Sequence, residues 1–129
     1  MPQQEKIKRF EQLRVWQEAH ALALKVYETT RAFPADERFG LTMQMRKAAA
    51  STASNIAEGF KRRSVRDKVH FYNISQGSNE EVRCDAILAR DLAYRISFED
   101  INRRCDCVAR MLSASITTME ERARVGVLA

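Results

Sequence analysis

A chain of 129 residues, 45% hydrophobic and 30% charged, has the size and make-up of one globular domain that buries roughly 70% of the surface its unfolded form exposes. Four glycines and two prolines are too few for a turn-rich all-β fold. No apolar run approaches the roughly 20 residues that cross a bilayer, and the opening MPQQEKIKRFEQ lacks the apolar stretch of a secretory signal. The expected setting is the cytoplasm, with no membrane partner, and Cys84, Cys105 and Cys107 are expected as reduced thiols rather than a disulfide framework. The net charge of +5 is unevenly spread: +2 over 1–59, +4 over 60–70 and −1 over 71–129.

Periodicity and punctuation predict four helices, at about 13–31, 36–58, 65–95 and 98–122, with flexible ends at 1–9 and 124–129. On the first helix Trp16, Ala19, Ala23, Val26, Tyr27 and Thr30 recur at helical steps, and Phe33-Pro34 ends it; Val15, Leu22 and Leu24 lie off that stripe. The second follows Pro34 with Asp36 and Glu37 in its first turn, near the positive end of the helix dipole, and runs to Glu58 before Gly59. Its centre, Lys47 to Ser54, is built of small residues, which let a neighbouring backbone come close.

Ser64 and Asp67 form the opening cap of the third helix, inside which Gly77 is expected to mark close packing of a neighbouring helix. Ser97 and Asp100 repeat the cap for the fourth, where Phe98, Ile101, Cys105, Val108, Leu112, Ser115 and Met119 alternate steps of three and four. Four amphipathic stripes joined by short links predict an all-α fold, an antiparallel up-down-up-down four-helix bundle in a single domain spanning 1–129. Apolar residues left off the stripes predict self-association into a homo-oligomer.

Chemistry-bearing patterns are few. A di-metal bundle needs Glu-x-x-His on two helices; here Asp67 precedes His70 by three residues, but Gln17 holds the matching place before His20. Cys105-x-Cys107 points its thiols roughly 200° apart on a helix, and no phosphate-binding glycine loop or nucleophile elbow occurs. No catalytic residues, metal or cofactor are expected.

One feature stands apart: Lys61, Arg62 and Arg63, followed by Arg66, Lys68 and His70, where the second helix meets the third. The start of a helix carries about half a positive charge, so cations in its first turn are unfavourable by a few tenths of a kcal/mol unless an anion binds. With Arg46 and Lys47 placed nearby, the junction is a candidate contact for RNA or DNA. Solvated surface and an acidic protein partner are the other two readings. Trp16, Tyr27, Phe39 and Phe71 read as core or subunit-contact anchors rather than base-stacking platforms, since they lie on apolar stripes.

From Phe33 to Gly59 the order Phe-Pro, Glu37, Gly40-Leu41, Gln44, Arg46-Lys47, Ala48-Ala49, Ser51 and Asn55-Ile56-Ala57-Glu58-Gly59 resembles the signature of the bacterial proteins encoded in intervening sequences of 23S ribosomal RNA genes. Phe10, Leu13, Trp16, Tyr27 and Gly77-Ser78 with Glu81 extend the resemblance over about 10–112. Lys47, Thr52 and Ser75 depart from the more usual Arg, Ile and Ala. The resemblance implies a left-handed antiparallel four-helix bundle, commonly a homopentameric ring, without known enzymatic activity. It also implies kinship with accessory proteins of diversity-generating retroelements, basic pentamers that bind RNA and a reverse transcriptase. Asn55, Glu58 and Gly59 are then mainly structural, with Glu58 placed to pair with Arg46 or a junction arginine. The function these readings support is an oligomeric scaffold binding nucleic acid; the alternative is an adaptor for an acidic partner or a polymerase.

Overall fold

The computed structural model describes residues 6–128 and contains four α-helices: α1 (Arg14–Thr30), α2 (Leu41–Lys61), α3 (Val65–Asp91) and α4 (Phe98–Leu128). Short 3-10 turns at Phe10–Gln12 and Ala35–Glu37 precede α1 and α2, and there is no strand among the described residues. Each helix packs on two others, α1 on α2, α2 on α3, α3 on α4 and α4 back on α1, with α2 and α3 in the most extensive contact. None of the four helices is long and apolar enough to cross a membrane. Of the expected flexible ends, residues 1–5 and 129 lie outside the described residues, while 124–128 continue α4 beyond the end expected at 122.

The core has two parts. Leu22, Val26, Phe33, Leu41, Met45, Val82, Ile101 and Cys105 fill one, with Ala48, Ala49, Ala86 and Ala89 allowing close helix approach. Val15, Ala19, Ala53, Ile56, Tyr72, Val108 and Leu112 fill the other. The α4 seam faces inward as its spacing predicts, and burial pushes the Cys105 thiol up to about 12, with the charge of Asp106 adding to the shift. On α1 the buried stripe is Val15, Ala19, Leu22, Val26, Thr29 and Thr30, so the expected face was turned: Leu22 is fully buried and Tyr27 is exposed.

Three other helix limits differ from expectation for identifiable reasons. The segment after Pro34 makes only a 3-10 turn, and α2 starts at Leu41, whose N–H donates to Glu37 Oε1 at 3.0 Å. That capping bond, together with the Tyr94 hydroxyl at 2.7 Å, holds the Glu37 carboxyl below its usual range. Gly59 does not end α2, which continues to Lys61; the Tyr72 ring lies against it so closely that a Cβ there would stand 2.8 Å from two ring carbons. Helix α3 stops at Asp91 rather than 95 because Ala93 takes a left-handed φ of 62°, with Tyr94 N–H closing on Ala89 O at 2.9 Å.

Gly77 corrects another expectation. It is exposed, and an added Cβ would meet nothing within 4 Å. The close approach of α2 and α3 falls one residue later, where Ser78 and Ser51 share a 2.8 Å hydroxyl bond. Thr52 and Ser75, the two departures with altered polarity, meet each other: Ser75 Oγ donates to Thr52 O at 2.6 Å, and Thr52 Oγ1 returns to Ala48 O at 2.9 Å. Both hydroxyls are thereby satisfied inside a small-residue contact.

Candidate functional site

The start of α1, the end of α2, the start of α3 and the end of α4 meet at one end of the molecule. A groove of about 540 Å³ runs between Lys8–Glu11 and the α2 residues Ser54, Ala57, Glu58 and Lys61. A second, mostly apolar groove is lined by Leu13, Phe60, Val65, Lys68, Tyr72, Met119 and Arg122, which adds the α4 end. Ser64 Oγ accepts from Asp67 N–H at 3.1 Å, so the expected cap does open α3.

The junction cations divide into two groups. Arg62 donates to Glu58 Oε2 at 2.9 Å, one helical turn back, and its guanidinium lies 4.7 Å from the Phe71 ring centre. Glu58 therefore pairs with a junction arginine rather than with Arg46. Lys68 donates to Phe60 O at 2.7 Å, closing a carbonyl in the last turn of α2, and reaches at 3.4 Å the Gly59 O that already accepts the Arg62 N–H. Burial pushes the Lys68 ammonium below its usual range. Lys68 is thus a cap built into the fold. Lys61, Arg63 and Arg66 are exposed and make no ion pair among the described residues.

Lys61 stands in the last turn of α2, where the helix dipole favours a cation, and only Arg66 occupies the first turn of α3, beside Asp67. What gathers at this end is not misplaced charge but unpaired charge. Lys8, across the groove from Lys61, and Arg122, beside Lys68, join Lys61, Arg63 and Arg66 without a carboxylate partner among the described residues. Arg9 also lies there but pairs with Glu11 at 2.8 Å. Lys8 and Arg122 could not be placed from spacing, since only the meeting of α1, α2 and α4 brings them to the junction.

Arg46 and Lys47 are not part of this end. Fifteen residues of α2 separate Arg46 from Lys61, about 22 Å along the axis. Arg46 instead donates from Nε to Thr30 Oγ1 at 2.8 Å and from Nη2 to Tyr27 O at 3.2 Å, while its guanidinium stacks 4.7 Å from the Tyr27 ring centre. Of the family-motif residues, Asn55 Nδ2 donates to Ser51 O and Oγ, both at 2.9 Å, which holds Ser51 toward Ser78. Asn55 and Gly59 therefore serve the α2–α3 contact, and Glu58 holds Arg62.

No group of three or more His, Cys, Asp or Glu side chains that could hold a metal ion occurs among the described residues. The arrangement defines a small all-α bundle protein with a cationic end. A family model described as 23S rRNA-intervening sequence protein matches residues 11–114, and the chain belongs to that family. A solved structure from Bacteroides thetaiotaomicron, a protein of unknown function from the S23 ribosomal protein family, shares the fold with a TM-score of 0.71 at 20% identity, covering 79% of this chain and 97% of its own. No curated protein matches the chain.

Proposed function

We propose that the chain is a non-enzymatic cytoplasmic subunit of an oligomeric scaffold that binds RNA through its cationic end. In this reading the helices run antiparallel in a left-handed bundle and the copies close into a homopentameric ring. Exposed Leu24 on α1, Ile74 and Leu88 on α3, and Leu92 just beyond its end supply apolar surface for copies to bury. The observation that carries the reading is the gathering of Lys8, Lys61, Arg63, Arg66 and Arg122 at one end with no carboxylate partner among the described residues.

Repetition strengthens such a site. Five copies would carry a charge of about +25, and several weak phosphate contacts on one assembly gain from effective concentration. By the sequence resemblance to retroelement accessory proteins, we extend the proposal to a reverse transcriptase as a partner. The test compares single-stranded RNA and duplex DNA binding by the wild-type protein and a Lys61/Arg63/Arg66→Ala variant. Weaker binding by the variant with unchanged subunit number supports the reading, and equal binding by both refutes it. Recovery of a protein partner that survives nuclease, with no RNA binding, would establish the adaptor alternative in its place.

A further inference from the structure

We infer that a second site, at the start of α2, stacks an unpaired base of a nucleic-acid strand. It is a shallow pocket of about 270 Å³ lined by Tyr27, Arg38, Phe39, Thr42, Met43, Arg46 and Lys47. Phe39 is 76% exposed and Tyr27 42%, so of the two roles their sequence suggested, core anchor or subunit contact, neither fills the core of this chain. Large aromatic surface held in water beside three cations is unusual, because burial of such a ring is strongly favourable.

Charge and geometry select the occupant. The pocket lining contains no acidic residue, and Arg38, Arg46 and Lys47 make no ion pair among the described residues. Glu37, the nearest carboxylate in sequence to Arg38 and Phe39 together, is turned away and committed to Leu41 N–H and the Tyr94 hydroxyl. Arg46 is fixed by Thr30 Oγ1 and Tyr27 O, which uses two of the five guanidinium donors and leaves three for a ligand. Its guanidinium carbon lies over the Tyr27 ring, 4.7 Å from the centre, and that of Arg38 lies over the Phe39 ring at 5.2 Å. Aromatic faces and guanidinium planes are the surfaces on which unpaired bases stack, and adjacent cations meet the phosphates. A ligand with both a flat π-face and negative charge fits all five side chains; an acidic peptide would leave Phe39 unused.

This inference rests on the RNA-binding reading but concerns residues about 22 Å from the cationic end. The experiment measures binding of two probes, a twelve-nucleotide oligoadenylate RNA and inorganic polyphosphate of similar charge. The proteins are wild type, Phe39→Ala, Phe39→Trp and Lys61/Arg63/Arg66→Ala. Phe39→Ala is expected to weaken oligoadenylate by about five- to a hundredfold and leave polyphosphate unchanged, with Phe39→Trp retaining wild-type affinity. Loss at the triple variant should affect both probes.

Equal effects of Phe39→Ala on the two probes, or none on oligoadenylate, overturn the stacking site while the cationic-end reading stands on the triple variant. A triple variant indistinguishable from wild type, with the Phe39→Ala loss retained, sinks the cationic end and keeps the pocket. A changed subunit number in Phe39→Ala assigns the pocket to contacts between copies and overturns the inference, as does failure of wild type to bind oligoadenylate.

Discussion

Alanine at Gly59 and alanine at Gly77 are the same chemical change on neighbouring helices, yet the structure predicts opposite signs. Each removes a helix-interior glycine, which alone favours the folded state by about 0.5–1 kcal/mol. At Gly77 nothing stands within 4 Å of the new methyl, so the full gain is expected. At Gly59 the methyl would lie 2.8 Å from Tyr72 Cδ1 and Cε1 and 3.2 Å from Phe71 Cβ, against an optimum of about 3.5–4.0 Å for carbon pairs. The Tyr72 ring is buried and cannot swing clear. Overpacking of this kind costs about 1–3 kcal/mol.

Because the propensity gain is common to both, the difference between the two variants isolates the clash at about 1–3 kcal/mol. Urea unfolding at fixed protein concentration reads it directly, with the midpoint of Gly77→Ala above wild type and that of Gly59→Ala at or below it. In a Tyr72→Leu background the Gly59→Ala penalty should shrink, giving a favourable coupling between the pair. Gly59→Ala stabilising as much as Gly77→Ala would refute the packing role assigned to this glycine.

Lys68→Met, which keeps the stem and removes the carbonyl cap, should lower stability by about 1 kcal/mol in the same unfolding assay, yet leave the salt dependence of RNA binding unchanged. Ala93→Gly relieves a left-handed backbone at φ 62° and should raise stability by about 1 kcal/mol, measured as a higher urea midpoint. The pH dependence contains two opposed contributions. Glu37 has a lowered folded value, so its contribution is present above the ordinary 4.5 and is lost as pH falls; Glu37→Ala should flatten stability on that acid side. Asp85 is 4% exposed, with Oδ1 held by Gln44 at 2.6 Å and Oδ2 unpartnered, and burial raises its folded value, the charge of Glu81 adding to the shift. Its folded form therefore binds protons more readily, and stability falls as pH rises from 3.8 through the raised value; Asp85→Asn should stabilise the protein at pH 7 and have little effect below 3.8.

Local chemistry made much of the fold legible. Few glycines and prolines, the alternating steps of α4 and the Ser64 cap each depend on spacing along one helix, and each points to the observed elements. The face of α1 was ambiguous because Ala19, Ala21, Leu22, Ala23 and Leu24 are apolar nearly all round, so two adjacent stripes fit the same period. The end of α3 carries no glycine; a strained Ala93 held by the Tyr94 contacts with Glu37 and Phe33 does the work instead, and those contacts are tertiary. Gly59 looked like a terminator because a close ring approach from α3 leaves no trace in the spacing of α2.

The site was partly readable. Glu58 and Arg62 stand four apart, the spacing of a helical ion pair, so the compensation of one junction arginine was available from sequence. That Lys68 turns back onto α2 was not, nor that Lys8 and Arg122 arrive from the two chain ends while Arg46 and Lys47 lie far along the helix. Cationic spacing alone marks where charge is, and only packing decides which charges remain for a partner.

The most direct measurement is the salt dependence of single-stranded RNA affinity for wild type and Lys61/Arg63/Arg66→Ala. Each phosphate neutralised contributes about −0.7 to the slope of log K against log salt, so removing three contacts should make the slope shallower by about 2. A shallower slope with unchanged subunit number is the result the account predicts. Identical slopes for the two proteins would mean that the unpaired cations at this end touch no phosphate, and would contradict it.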